Sequence, residues 1–153
     1  MSGAIIKEHG DVVELCMDFN EQNAMDGDSF LELASALEEI GKNKSYSAML
    51  LTSAAKGFFC NGLDPQIMVD QPHKNIHRIV DILLRSTQVL FRIPIPVVSV
   101  INGNCVGGGA IFALFSDYRF MNGQKGRIGF PEANIGMNFP AAGARILVET
   151  VGM

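Results

Sequence analysis

Three consecutive glycines, Gly107 to Gly109, stand directly before the apolar run AIFALF. Glycine is a poor helix former, but a Gly-rich turn entering a helix lets backbone N–H groups approach a ligand closely, and the helix N-terminus carries partial positive charge. Such a turn suits an oxygen that gains negative charge during a reaction. Phosphate cradles fit poorly. Counting from Gly103, the third place of a G-x-G-x-x-G pattern is Cys105, and Ala110 and Ile111 stand where a P-loop has Lys and Ser or Thr. A tight turn whose glycines merely permit close packing is the plain alternative. A second loop of the same kind, FFCNGLDP at residues 58–65, also follows an apolar run and shifts the balance toward chemistry.

Other reactive side chains are less telling. Glu132, in RIGFPEANIG, reads equally as a carboxylate in the first turn of a helix, where Pro131 and an acid complement the dipole. His73 and His77 are four apart, but no zinc-protease Glu and no third ligand accompany them, so no metal site is expected. Cys16, Cys60 and Cys105 lack metal spacing, and the two that flank the glycine loops read as small buried residues. Lys56 reads as a solvated loop residue. Asp117 and Arg119 read as a buried polar pair at a strand start.

These residues must be held by an alternation of strands, loops and helices. Ile5 to Asp18 reads as a hairpin about Gly10. DGDSFLELASALEEIGKN reads as an amphipathic helix opened by a Ser29–Glu32 capping box, with Phe30, Leu33, Ala34, Leu37 and Ile40 inward. SAMLLTS reads as a strand buried on both faces. A helix is expected from His73 to Phe91, then a strand in IPVVSVIN, the apolar helix, an inner strand in SDYRFM and a short strand in RIGF.

With 153 residues the chain has the length of one domain, able to bury roughly 70% of its unfolded surface. Its 48% hydrophobic and 18% charged residues are those of a globular protein. A net charge of -4 without a basic stripe argues against nucleic acid as a partner. The N-terminus shows no signal-type apolar region, and a cytoplasmic, reducing location is expected. Ile93 to Ser116 carries no charge, but its prolines, asparagines and glycines argue for a strand, a loop and a buried helix rather than a membrane span.

Taken together, FFCNGLDP, GNCVGGGAIF and RIGFPEANIG resemble, in order and along essentially the whole chain, the motifs of the crotonase superfamily of enoyl-CoA hydratases and isomerases. The resemblance implies an α/β fold, a crotonase-like spiral of repeated ββα units spanning 1–153 as one core domain. It implies that the C-terminal helical segment of such proteins is absent after LVETVGM. The expected substrate is an acyl-CoA thioester, with coenzyme A as part of the substrate and no separate cofactor or metal. A homo-oligomer, a trimer or dimer of trimers, is expected if the C-terminal segment exists in the full protein. By position the N–H groups of Leu63 and Gly108 form an oxyanion hole, Glu132 is the catalytic acid and base, and Asn61, Gly62, Asp64, Gly107, Ile111 and Phe139 contact substrate.

The acid inventory narrows the reaction the resemblance implies. Family hydratases carry a second carboxylate two residues after the last glycine, where this chain has Ile111; dienoyl-CoA isomerases add another eight residues after the retained Glu, where Pro140 stands. One carboxylate facing an oxyanion hole suits a 1,3-proton shuttle and resembles the 3-enoyl-CoA to 2-enoyl-CoA isomerases. The stretch NGQKGRIGF before the PE pair is similar to theirs in length. A hydratase, another one-acid enzyme such as a decarboxylase or thioester hydrolase, and a non-catalytic acyl-CoA-binding module are the alternatives.

Overall fold

The computed structural model of the chain describes residues 2–70 and 72–152. In chain order the elements are β1 (Gly3–His9), β2 (Val12–Asp18), β3 (Ala24–Met25), α1 (Gly27–Lys42), β4 (Ala48–Ser53), β5 (Phe58–Cys60), β6 (Gly62–Leu63), α2 (Pro65–Asp70), α3 (His73–Phe91), β7 (Val97–Ile101), β8 (Asn104–Val106), α4 (Gly108–Phe115), β9 (Tyr118–Met121), β10 (Arg127–Gly129), a 3-10 turn (Glu132–Ile135) and α5 (Ala141–Val151). The main sheet has the order β1-β2-β4-β7-β9, antiparallel only between β1 and β2. A smaller parallel sheet has the order β10-β8-β5, and β3 pairs with β6. From β4, β7 and β9 alike, the chain passes from the main sheet into a short strand of the second sheet and then into helix. This is the repeated ββα arrangement.

Side-chain alternation along the strands explains where the core lies. Val13, Met49 and Val97 are in register and buried, as are Leu15, Leu51 and Ser99, while Glu14, Leu50, Val98 and Tyr118 share the opposite face. Helix α1 brings Phe30, Leu33, Leu37 and Ile40 into the same core. β4 is therefore buried on one face, not two: Leu50 and Thr52 remain half-buried because their face carries no covering helix. SDYRFM yields an edge strand rather than an inner one, with Tyr118 and Phe120 64% and 68% exposed. Short apolar runs look alike at an edge and at a centre, since pairing is decided by chain segments far away. The uncharged stretch divides into β7, β8 and α4, and among the described residues no helix is long and apolar enough to cross a membrane.

The start of α1 also departs from expectation. Its N-cap is Asp26, whose carboxylate accepts from Ser29 N at 2.8 Å and Ser29 Oγ at 2.7 Å. Glu32 does not close a box; it accepts from Ala4 N at 2.8 Å and fastens β1 to the helix. The bond from Ser29 N holds the Asp26 carboxyl below its usual range. A group so shifted stabilises the fold above its unfolded pKa and loses that contribution as pH falls through the lower folded value. Asp26→Ala should therefore cost about 1 kcal/mol in urea unfolding at neutral pH, and the gap from wild type should shrink as pH falls below the usual carboxylate range.

Candidate active site

Gly107 has φ +54° and is the N-cap of α4, without any side-chain cap. Its N–H donates to Gly129 O at 3.1 Å, and its carbonyl accepts from Ile111 N at 3.0 Å, starting the helix. The first amides of a helix have no partner four residues back, so Gly108 N–H is available to a ligand. The neighbouring glycines are needed for packing as well. A Cβ at Gly109 would overlap Cys60 O, and one at Gly108 would press on Leu83 Cδ1 at 3.0 Å. At the other end of α4, Arg119 Nη1 donates to the carbonyls of Ala113, Leu114 and Ser116 at 3.0, 3.3 and 2.6 Å. Asp117 instead accepts from Val97 N at 2.7 Å. The expected Asp117–Arg119 pairing is thus replaced by two separate backbone anchors, because helix carbonyls and a strand amide lie within reach of each.

The other loop meets this turn edge on. Gly62, at φ +72°, lies so close that a Cβ there would overlap Gly108 N. Gly62 N donates to Cys60 Sγ at 3.3 Å, and Asp64 N donates to Met25 O at 3.0 Å. Successive amides of an extended strand point to opposite sides, so with its two neighbours turned to those partners Leu63 N–H is directed away from β3. Asp64 Oδ1 accepts from Gln66 N at 2.9 Å and orders the entry to α2; Asn61 Nδ2 donates to Gln22 Oε1 at 2.9 Å.

Glu132 completes the constellation. It opens the 3-10 turn behind Pro131, and its carbonyl accepts from Met137 N at 2.9 Å while Gly136 turns the chain at φ +71°. The rings of Phe130 and Phe139 meet edge to face at 4.8 Å and tie the two flanks of the turn together. Since Gly129 O holds Gly107 N, the strand leading to Glu132 is fixed directly to the glycine turn. Glu132 Oε1 lies 3.8 Å from the place a Gly107 Cβ would take. The residue is only 8% exposed, and its Oε2 is buried without a hydrogen-bond partner. Leaving a buried acceptor unpaired costs about 1–3 kcal/mol, more for a charged group, so such an atom calls for a functional reason. The arrangement offers two backbone donors and one desolvated carboxylate, suited to moving a proton beside an oxygen that becomes negative.

The profile of the enoyl-CoA hydratase/isomerase family matches residues 8–153. The chain belongs to that family. Similar members include enoyl-CoA delta isomerase 3 of Arabidopsis thaliana, 26% identical over 150 residues, with 96% of this chain and 63% of that protein covered. Mitochondrial enoyl-CoA delta isomerase 1 of Homo sapiens is 30% identical over 131 residues, covering 85% of this chain and 43% of that protein. Among solved structures, an enoyl-CoA hydratase from Bacillus anthracis has TM-score 0.91 at 21% identity, covering 99% of this chain and 59% of that one. DspI of Pseudomonas aeruginosa has TM-score 0.91 at 23% identity, covering all of this chain and 58% of that one. These structures show a shared, crotonase-type fold. The chain spans less than two thirds of the length of these relatives.

Within this family fold, Gly62 abuts Gly108, and Gly107 lies beside Asn61 O and Glu132 Oε1, while Leu63 and Asp64 continue the Gly62 loop along β3. Ile111 is 2% exposed and lies in the wall of a cleft of about 790 Å³, with Leu84, Phe91, Phe115, Pro140 and Ile146. Phe139 serves the Glu132 turn through Phe130 and packs on Gly143 of α5. Lys56 lines a separate cleft with Asn20, Gln22 and Ala54. The side chain of His73 lies outside the described residues, so the His73–His77 pair does too; among the described residues no cluster of potential metal ligands occurs. Sequence reading passed over Asn23, which is fully buried at φ +47° and spends its amide on Met17 O, Ser53 Oγ and Phe59 O. Its only signal was an asparagine between a strand and a helix, a residue type that tolerates this conformation.

Proposed function

We propose that the chain converts a 3-enoyl-CoA to a 2-enoyl-CoA by a single-carboxylate proton shuttle. Glu132 takes a proton from C2 of the acyl group. The electron pair released forms a dienolate whose negative charge resides largely on the thioester oxygen, between Leu63 N–H and Gly108 N–H. One such donor is worth about 3 to 4 kcal/mol of barrier. Glu132 then returns the proton to C4, leaving the double bond between C2 and C3, so that no atom is gained or lost. The apolar cleft beside Ile111 receives the acyl chain, and coenzyme A enters as part of the substrate, with no further cofactor.

The observation that carries this reading is the buried, partnerless Glu132 Oε2 beside the glycine turn. Ile111, where a second acid would stand, favours isomerisation over hydration, which needs a second group to position or activate water. Supplied separately with 3-enoyl-CoA and 2-enoyl-CoA, the protein should interconvert them and form no 3-hydroxyacyl-CoA. Accumulation of the hydroxy product, or binding of both thioesters without turnover, would overturn the assignment.

A further inference from the structure

Cys60 sits where the two halves of the site meet. It is fully buried, in β5, with Cys105 of β8 opposite it in register. Its thiol accepts from Gly62 N at 3.3 Å and has two acceptors for its single proton, Asn23 O at 3.3 Å and the weaker, more distant Met25 Sδ at 3.8 Å. Its own carbonyl and Cβ lie directly under Gly109, where only hydrogen fits. The side chain thus holds the loop that carries Leu63 N–H, while its backbone supports the first turn of α4 that carries Gly108 N–H.

The nearer acceptor of the thiol is itself fixed. Asn23 takes Phe19 N on its Oδ1 at 2.9 Å, and its Nδ2 binds Met17 O, Ser53 Oγ and Phe59 O at 3.1, 2.9 and 3.1 Å. These bonds tie the ends of β2, β4 and β5 to one side chain. Asn23 O also accepts from Asn61 N at 3.3 Å, so the peptides on either side of Cys60 are both anchored to Asn23.

We propose that Cys60 is a positioning residue for the oxyanion hole: its buried thiol, bridging Asn23 O and Gly62 N, sets the direction of the following Leu63 N–H. Burial pushes the thiol up to about 12, so it keeps its proton and acts as donor and acceptor together. No nucleophilic or redox step is involved. A missing bridge frees the Gly62 amide, and the Leu63 amide that follows loses its aim. Ground-state binding of the thioester, made along the rest of the substrate, changes little.

The inference rests on the isomerase reading, so its test needs one readout that is independent of turnover. Cys60→Ala removes the bridge; Cys60→Ser keeps a hydroxyl able to donate and accept. With 3-enoyl-CoA, the Ala variant should lose about 10- to 100-fold in kcat with KM little changed, and the Ser variant should recover most of that loss. In the free proteins, hydrogen exchange at the Gly62 amide should quicken in the Ala variant and not in the Ser variant, with thermal unfolding confirming that both fold. Wild-type exchange at Gly62 no slower than in the Ala variant would overturn the bridge, whatever the activity. A folded Ala variant with wild-type kcat, or a Ser variant as slow as Ala, would overturn the positioning role. A wild-type protein inactive on 3-enoyl-CoA would instead overturn the isomerase reading, and the Gly62 exchange would still decide the bridge.

Discussion

Glu132→Gln should lower kcat for 3-enoyl-CoA isomerisation by about 10²- to 10⁴-fold, the range by which a placed general base accelerates proton transfer. The amide has nearly the volume of the carboxylate but cannot take the C2 proton. Ile111 and Pro140 occupy the positions where related motifs carry further acids. The variant should fold at least as well as the wild type. A buried carboxylate oxygen without a donor is a cost to the native state, and replacing the charge removes part of that cost. Lost activity with an unchanged or raised Tm separates a catalytic role from a structural one. Binding of a saturated acyl-CoA should persist.

Gly62→Ala should have the second large effect, through backbone rather than side-chain chemistry. The position holds φ +72°, which alanine resists, and its Cβ would overlap Gly108 N. The two loops must then separate at the point where their amides converge. A displaced donor costs about 10²- to 10³-fold in kcat, as removal of an oxyanion-hole donor does elsewhere. Here Tm should also fall, in contrast with Glu132→Gln, since the same contact packs β6 against α4. Thermal unfolding measured beside steady-state kinetics distinguishes the two variants.

Much of this site was legible in the chain because its carriers are local. Gly107 to Gly109 and the FFCNGLDP loop stand out by residue type, Glu132 stands out only beside them as part of a family resemblance, and the helix from His73 to Phe91 is bounded by its apolar period and the following RIPIP. What escaped depends on partners distant in sequence. β8 is only three residues long and exists because β5 and β10 flank it. Glu32 looked like half of a capping box, but the amide of Ala4, 28 residues away, claims it. Asn23 and Cys60 look ordinary as residue types, and their roles arise from bonds spanning 36 and 37 residues. The conspicuous glycine loops are thus held in place by inconspicuous residues.

The central claim is that Glu132 carries the proton between C2 and C4 beside the two backbone donors. Proton NMR of 3-enoyl-CoA in deuterated water, with wild type and Glu132→Gln compared at equal bound fraction, tests it most directly. The wild type should form 2-enoyl-CoA, with deuterium at C4 only to the extent that the Glu132 carboxyl exchanges with solvent before delivering its proton, and the variant should bind the thioester without forming 2-enoyl-CoA. Formation of 2-enoyl-CoA by the variant at the wild-type rate would contradict the account.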